Sequence, residues 1–268
     1  MNVLARIRSL VARLDAPGPR IAVFGDSHTV ALLRAQQYSK RTSEYEHIRV
    51  FRLRKEKDGR EVGDASLANF CREIRDFTSD DFVFSAVGGN QYAILSTVRS
   101  RVDFDFLISN SDELPGSGTQ LVPFRALASY VETGVRETMG PILRQIRAST
   151  DAKLYHLAPP PPKEDNEFIA AHVEGYFARE GLQDLGPTRP DLRLKCWKVQ
   201  LGCLSDLCDE LGIMLIKPPE KAVTTGGYLE PACYAKDVTH ANRRYGEAVF
   251  RQILKITKTA NRSKGKPR

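Results

Sequence analysis

Three stretches of the chain carry residue types that could perform nucleophilic chemistry. Ser27 lies in Gly25-Asp26-Ser27-His28, Asn90 closes Gly88-Gly89-Asn90, and Asp237 stands three residues before His240 in Asp237-Val238-Thr239-His240. A serine hydroxyl is a weak nucleophile until a base takes its proton, and an imidazole does so near neutral pH. The imidazole in turn needs its second nitrogen held, which an aspartate three residues earlier can do. An acyl-transfer intermediate needs donors for its oxyanion, and the Ser27 N–H, a loop glycine and the Asn90 amide are of the right kind. Each residue also has a plainer reading. Asp26 and Ser27 are good helix N-caps and Asp237 could cap the last helix. Asn90 is a common turn residue, and His240 could simply be exposed. The chemical reading depends on whether the fold brings all of them to one place.

The surrounding pattern predicts that it does. Residues 21–24 are a short apolar run of the kind buried on both faces of a parallel sheet. Gly25 ends the run, and helical spacing begins near Thr29, so Ser27 sits at a strand-to-helix bend. Further strands are predicted at 47–53, 81–87, 153–157 and 213–216. Helices are predicted from the Ser66 cap to about 77, over 122–148 with a break at Gly140-Pro141, over 192–211, and from about 242 to 256. The charged stretch 55–64 reads as a loop. Segments 98–120 and 163–192 read as insertions, the second with a helical part near 167–180. Strands alternating with helices give a parallel sheet covered on both faces. Loops leaving adjacent parallel strands meet at the carboxyl edge, so Ser27, Asn90 and the loop holding Asp237 and His240 are predicted to converge there.

Composition excludes several function classes. The formal charge of +7 is local: seven basic residues and no acidic ones follow Glu247, which leaves 33 of each sign in the rest of the chain. A basic footprint for nucleic acid covers a folded face, whereas this one is a tail, and no nucleic-acid partner is expected. No run reaches the roughly 20 apolar residues of a membrane span. The first residues show no secretory leader. Cys196, Cys203 and Cys208 match no zinc spacing, so the five cysteines read as reduced thiols of a cytoplasmic protein, with no metal. Val3, Leu4, Ile7, Leu10, Val11 and Leu14 form one face of a predicted N-terminal helix, with Arg6, Arg8 and Arg13 opposite or flanking. Such a stripe docks on its own domain or a second subunit more often than on a membrane. The expected organisation is residues 1–19 as amphipathic helix and linker, 20–258 as the main domain, and 259–268 as a basic tail.

These blocks resemble those of the SGNH hydrolases, the GDSL esterase/lipase family. Gly25-Asp26-Ser27-His28 resembles the family's first block, Gly88-Gly89-Asn90 its third, and Asp237-Val238-Thr239-His240 its last, with Asn242 and Tyr245-Gly246 also family-like. The second block is a single glycine, for which Gly63 is the first candidate and Gly59 the second. The resemblance implies a flavodoxin-like three-layer α/β/α sandwich with five parallel strands in the order 2-1-3-4-5. It implies Ser27 as nucleophile, His240 as base, Asp237 as orienter, and Ser27, Gly63 and Asn90 as the oxyanion hole, with no cofactor. Asp26, His28, Gly89, Gln91 and Tyr92 flank these blocks and are candidate substrate-binding residues. The sequence departs from the family where His28 replaces a common leucine and Gln91 a common aspartate. His28 is also a rival base, although neighbours on a helical turn do not face each other. His47, His156 and His172 read as structural or surface residues.

The function expected is a serine esterase acting on an O-acyl group, with an acetylated sugar or glycan as the preferred substrate class and the two insertions walling the site. An acyltransferase using the same triad is a variant. A non-catalytic binding or scaffolding protein that keeps the fold is the alternative.

Overall fold

The computed structural model describes residues 18–39, 44–57, 59–108, 116 and 118–264, with side chains to residue 260. The helix expected over residues 2–14 and the last four residues of the tail lie outside the described residues.

The first strand, β1 (Ile21–Gly25), is buried along its whole length. It pairs in parallel with β2 (Ile48–Arg52) on one side and β5 (Phe82–Ala86) on the other. Beyond β5 come β8 (Lys153–Leu157) and β9 (Met214–Ile216), also parallel, giving a five-stranded sheet in the order β2-β1-β5-β8-β9. This is the expected order 2-1-3-4-5. Side chains alternate across the sheet, as strand geometry requires. Ala22, Phe24 and Val83 join one core, while Ile21, Val23, Phe82 and Phe84 join the other.

Helices cover both faces. On one side α1 (Thr29–Ser39) packs against the C-terminal helix α10 (Arg243–Lys264). The contact is so close that a Cβ on Gly246 would lie 2.2 Å from the Ala31 carbonyl oxygen, which is why a glycine stands there. On the other side lie α2 (Leu67–Glu73), α4 (Phe124–Thr138), α5 (Gly140–Ala148) and α9 (Pro190–Glu210). Their residues Phe70, Val131, Leu143 and Leu204 fill the first core, with Phe24 stacked on Phe70 at 4.4 Å. The result is the three-layer α/β/α sandwich expected from the resemblance. Among the described residues no helix is long and apolar enough to cross a membrane. All five cysteines are free thiols.

Local expectations hold where caps and prolines set them. The Ser66 hydroxyl accepts from the Asn69 N–H at 3.1 Å, and the long helical stretch breaks at Gly140-Pro141. Two readings need correction, and one segment left unassigned gains a feature. Residues 55–64 are not a plain loop: β3 (Lys55–Lys57) and β4 (Arg60–Val62) form an antiparallel hairpin. The hairpin shows no apolar alternation because it is largely exposed, and Arg54 pairs with Glu61 across it. The region 98–120 contains a two-residue parallel pairing of β6 (Phe104–Asp105) with β7 (Gln120–Leu121). Helix α10 continues to Lys264 rather than ending near 256: the buried Thr257 and the part-buried Ala260 extend its packed face past the last large apolar residue.

Candidate active site

Ser27 occupies the bend between β1 and α1. The first ladder bonds of the helix run from Thr29 N to Asp26 O and from Val30 N to Ser27 O, each 3.2 Å. The Ser27 and His28 amides therefore precede the helix's own hydrogen bonds, at the end where backbone N–H groups and the macrodipole favour negative charge. Asp26 does not reach the cleft. Its Oδ2 accepts from the Gly88 N–H at 3.0 Å and so ties the exit of β1 to that of β5.

The Asp237–His240 loop is built around one carboxylate. Asp237 Oδ1 accepts from the Thr239 and His240 amides at 3.0 and 2.7 Å, and Oδ2 lies 3.1 Å from His240 Nδ1. Asp237 is therefore not the cap of α10. That position falls to Asn242, whose Oδ1 accepts from the Arg244 N–H at 2.8 Å. Burial alone would raise the Asp237 pKa, but the His240 hydrogen bond and charge, the backbone donors and Lys163 outweigh it and hold the carboxyl well below the usual range.

Lys163 is a contributor the sequence reading did not single out. Its side chain is fully buried, donates to the Ala235 and Asp237 carbonyl oxygens, and places Nζ 3.7 Å from Asp237 Oδ1. Burial pushes its pKa down to about 8, against the upward pull of Asp237. The ammonium thus anchors both the backbone and the carboxylate of the loop.

Ser27, Asn90, Asp237 and His240 all line one cleft of about 560 Å³. Asn90 enters it from the start of α3 (Gln91–Ser96), and its side chain makes no capping hydrogen bond. Arg52 and Lys55 line the cleft on the β2 side. The wall also includes Glu174 and the first residues of α7 (Gly175–Arg179), so the 163–192 insertion does border the site. The described part of 98–120 instead braces that insertion, through the Val98–Pro187 bridge and the bond from Arg99 N to Gly186 O.

Other candidates are placed differently. Gly63, with φ +96°, lies against the end of β2, where a Cβ would meet the Leu53 oxygen at 2.3 Å. Gly59 is at the open hairpin tip with nothing within 4 Å of its Cβ position. Neither lines the cleft, but Gly63 is the one at the sheet edge. Gln91 turns to α4, donating to Thr138 Oγ1 at 2.8 Å. Tyr92 is buried in the core, and burial pushes its phenol pKa up. Gly89 faces Pro159 and the His28 ring. The His28 ring centroid is 5.6 Å from that of His240, but its Nε2 is shielded and without a hydrogen-bond partner among the described residues. Burial lowers its pKa to about 4, Asp26 opposing and His240 and Lys55 adding to the fall, so His28 is a poor base. Of the remaining histidines, His156 is buried, His172 is bonded to the Phe168 carbonyl at 2.8 Å, and His47 is exposed.

No family model matches the sequence, and no curated protein matches it. Solved structures do resemble the chain along its length. One is a GDSL-like lipase from Bacteroides thetaiotaomicron, 14% identical, with 96% of this chain and 97% of that chain covered at a TM-score of 0.45. Phospholipase A1 from Streptomyces albidoflavus is 10% identical, with 90% and 100% covered at 0.49. An extracellular lipase from Streptomyces rimosus is 8% identical, with 90% and 100% covered at 0.44.

Proposed function

We propose that this chain is a serine ester hydrolase of the SGNH type. The observation that carries the reading is the convergence of Ser27, Asn90, Asp237 and His240 on one cleft, with His240 Nδ1 set against the Asp237 carboxylate. In this reading Asp237 accepts the Nδ1–H and leaves Nε2 to act as base. Ser27 Oγ gives its proton to Nε2 and attacks the ester carbonyl. The oxyanion forms beside the Ser27 N–H and the Asn90 amide, both at the cleft wall. The C–O bond to the alcohol then breaks and the leaving oxygen takes the proton from Nε2. Water, deprotonated by the same imidazole, attacks the acyl-serine and releases the acid.

His240 keeps 33% of its side chain exposed, so water can reach the base, which favours hydrolysis over transfer to another alcohol. A cleft of about 560 Å³ is of small-molecule size. It can hold a short acyl group on a sugar-sized alcohol, in keeping with the O-acetyl carbohydrate class preferred from the sequence. The test is hydrolysis of p-nitrophenyl acetate together with labelling by a fluorophosphonate. Ser27→Ala and His240→Ala are each expected to remove most of the activity, with losses that do not add because the two residues work as a unit. A folded wild type that neither turns over a short ester nor takes the label would leave the binding-protein reading in its place.

A further inference from the structure

Resting on Ser27 as the nucleophile, we infer that the substrate of this cleft carries an anionic group, a carboxylate or phosphate, a few bonds from the scissile ester, and that Arg52 and Lys55 receive it.

The charges around the cleft are unevenly satisfied. Asp237 is engaged by His240 and Lys163. Glu174, the other acid lining the cleft, stands at the start of α7 on the insertion side. On the β2 side the cationic neighbours of the same stretch are paired: Arg49 with Glu73 and Arg54 with Glu61. Arg52 and Lys55, the two that line the cleft, form no ion pair among the described residues. Arg52 Nε is moreover shielded from solvent without a hydrogen-bond partner among them. Glu56, the nearest acid in sequence, is exposed and pairs with neither Arg52 nor Lys55, and Asp64 uses one carboxylate oxygen on the Arg52 backbone N–H at 2.7 Å. The guanidinium has no carboxylate of its own among the described residues, and the part of it at the cleft wall can take a planar carboxylate or phosphate.

The distance to the chemistry is short. Arg52 is the β2 partner of Gly25, two residues before Ser27, and neighbouring strands lie about 4.8 Å apart. An anion on Arg52 and Lys55 is thus within a small molecule's length of the reacting carbonyl. The opposite wall offers Ile94, Tyr176 and Phe177, an apolar surface for the uncharged part of the ester.

The test uses two matched pairs of chromogenic esters, because the anion can belong to the acyl or the alcohol side. Mono-4-nitrophenyl succinate is compared with 4-nitrophenyl butyrate, and 3-acetoxy-4-nitrobenzoate with 2-nitrophenyl acetate. For at least one pair, kcat/KM for the anionic ester is expected to exceed that for the neutral one by about tenfold in low salt, the scale of a partly exposed charge pair. The ratio should drop towards one in Arg52→Gln/Lys55→Gln and in 0.5 M salt. Arg54→Gln, which removes a charge already paired to Glu61, should keep the ratio. Melting temperatures establish that each variant folds. Turnover of the neutral esters with both ratios at or below one, or a ratio that survives the double substitution, overturns the inference while leaving the esterase reading standing. Failure of all four esters together with failure of fluorophosphonate labelling removes both.

Discussion

Replacing Asp237 by Asn isolates the electrostatic part of the proposed triad. The amide oxygen can still accept from the Thr239 and His240 N–H groups, which now lie 3.0 and 2.7 Å from Oδ1, so the loop keeps its shape. Two things change. The negative charge beside the ring is gone, and the amide NH₂ faces Nδ1, which favours the tautomer whose Nε2 carries the proton and cannot accept another. Nδ1 lies 3.1 Å from Oδ2. At an effective dielectric of about 20 a contact at that distance is worth ~5 kcal/mol, falling to ~3 kcal/mol if the ring charge is centred roughly 5 Å away. At 1.36 kcal/mol per decade this is a loss of roughly 10²- to 10⁴-fold in kcat. KM for p-nitrophenyl acetate should move little, because the stabilisation is needed only when the imidazolium forms. The assay is the pH–rate profile of wild type and Asp237→Asn, with circular dichroism confirming the fold. A folded variant whose kcat stays within about fivefold of wild type at every pH would show that Asp237 does not orient the base.

Three other substitutions probe separate parts of the structure. Asn90→Ala should cost about 100-fold in kcat, the usual scale for one oxyanion donor, with little change in melting temperature because its side chain makes no capping bond; unchanged turnover removes Asn90 from the site. His156 is 1% exposed, and burial lowers its pKa to about 4. The native state thus refuses a proton that the unfolded chain takes up near pH 6.5, and stability falls as pH drops through that window. The loss is ~2.5 kcal/mol between pH 7.5 and 4.5. Urea titrations should show His156→Leu losing less stability over that range by this amount, and parallel curves would refute the neutral buried imidazole. Gly246→Ala would gain ~1 kcal/mol of helix propensity at an exposed position. Here the added Cβ falls 2.2 Å from Ala31 O. The net effect should be destabilising by ~1–3 kcal/mol, the usual cost of overpacking, and a raised melting temperature would contradict the close approach of α1 and α10.

What the sequence made legible follows the range of the forces involved. The strands are readable because most are short apolar runs, as in β1 and β5, while β2 alternates Ile48 and Val50 with the exposed Arg49 as a half-exposed strand does. Ser27, Asn90 and Asp237–His240 are readable because each sits where a strand ends or a helix begins, and parallel topology sends those positions to one edge. Gln91 and Tyr92 were candidates only by adjacency to Asn90. Once α3 begins there, each residue turns about 100° from the last, and these two side chains reach α4 and the core. The Lys55–Val62 hairpin was hidden because both its faces are charged or exposed. Arg52 ends the expected second strand and Lys55 opens this hairpin, but that neither has an ion-pair partner among the described residues can be seen only in three dimensions.

Lys163 marks the limit most clearly. It acts on the carbonyl of a residue 74 positions away, and nothing around it in the sequence distinguishes it from a surface lysine. Yet the proposed base is carried by a loop and not by a strand, and a loop needs something to fix it. A buried ammonium is costly unless its donors find acceptors. Here the acceptors are the Ala235 carbonyl and the Asp237 carbonyl, with the Asp237 carboxylate 3.7 Å away. The same cation therefore fixes the backbone that presents His240 and balances the carboxylate that holds it. The pKa of about 8 leaves Lys163 charged at neutral pH, where both roles are needed. In this arrangement the position of the imidazole is set by two anchors, the Asp237 carboxylate from within the loop and Lys163 from outside it, and the second anchor comes from the segment that also walls the cleft.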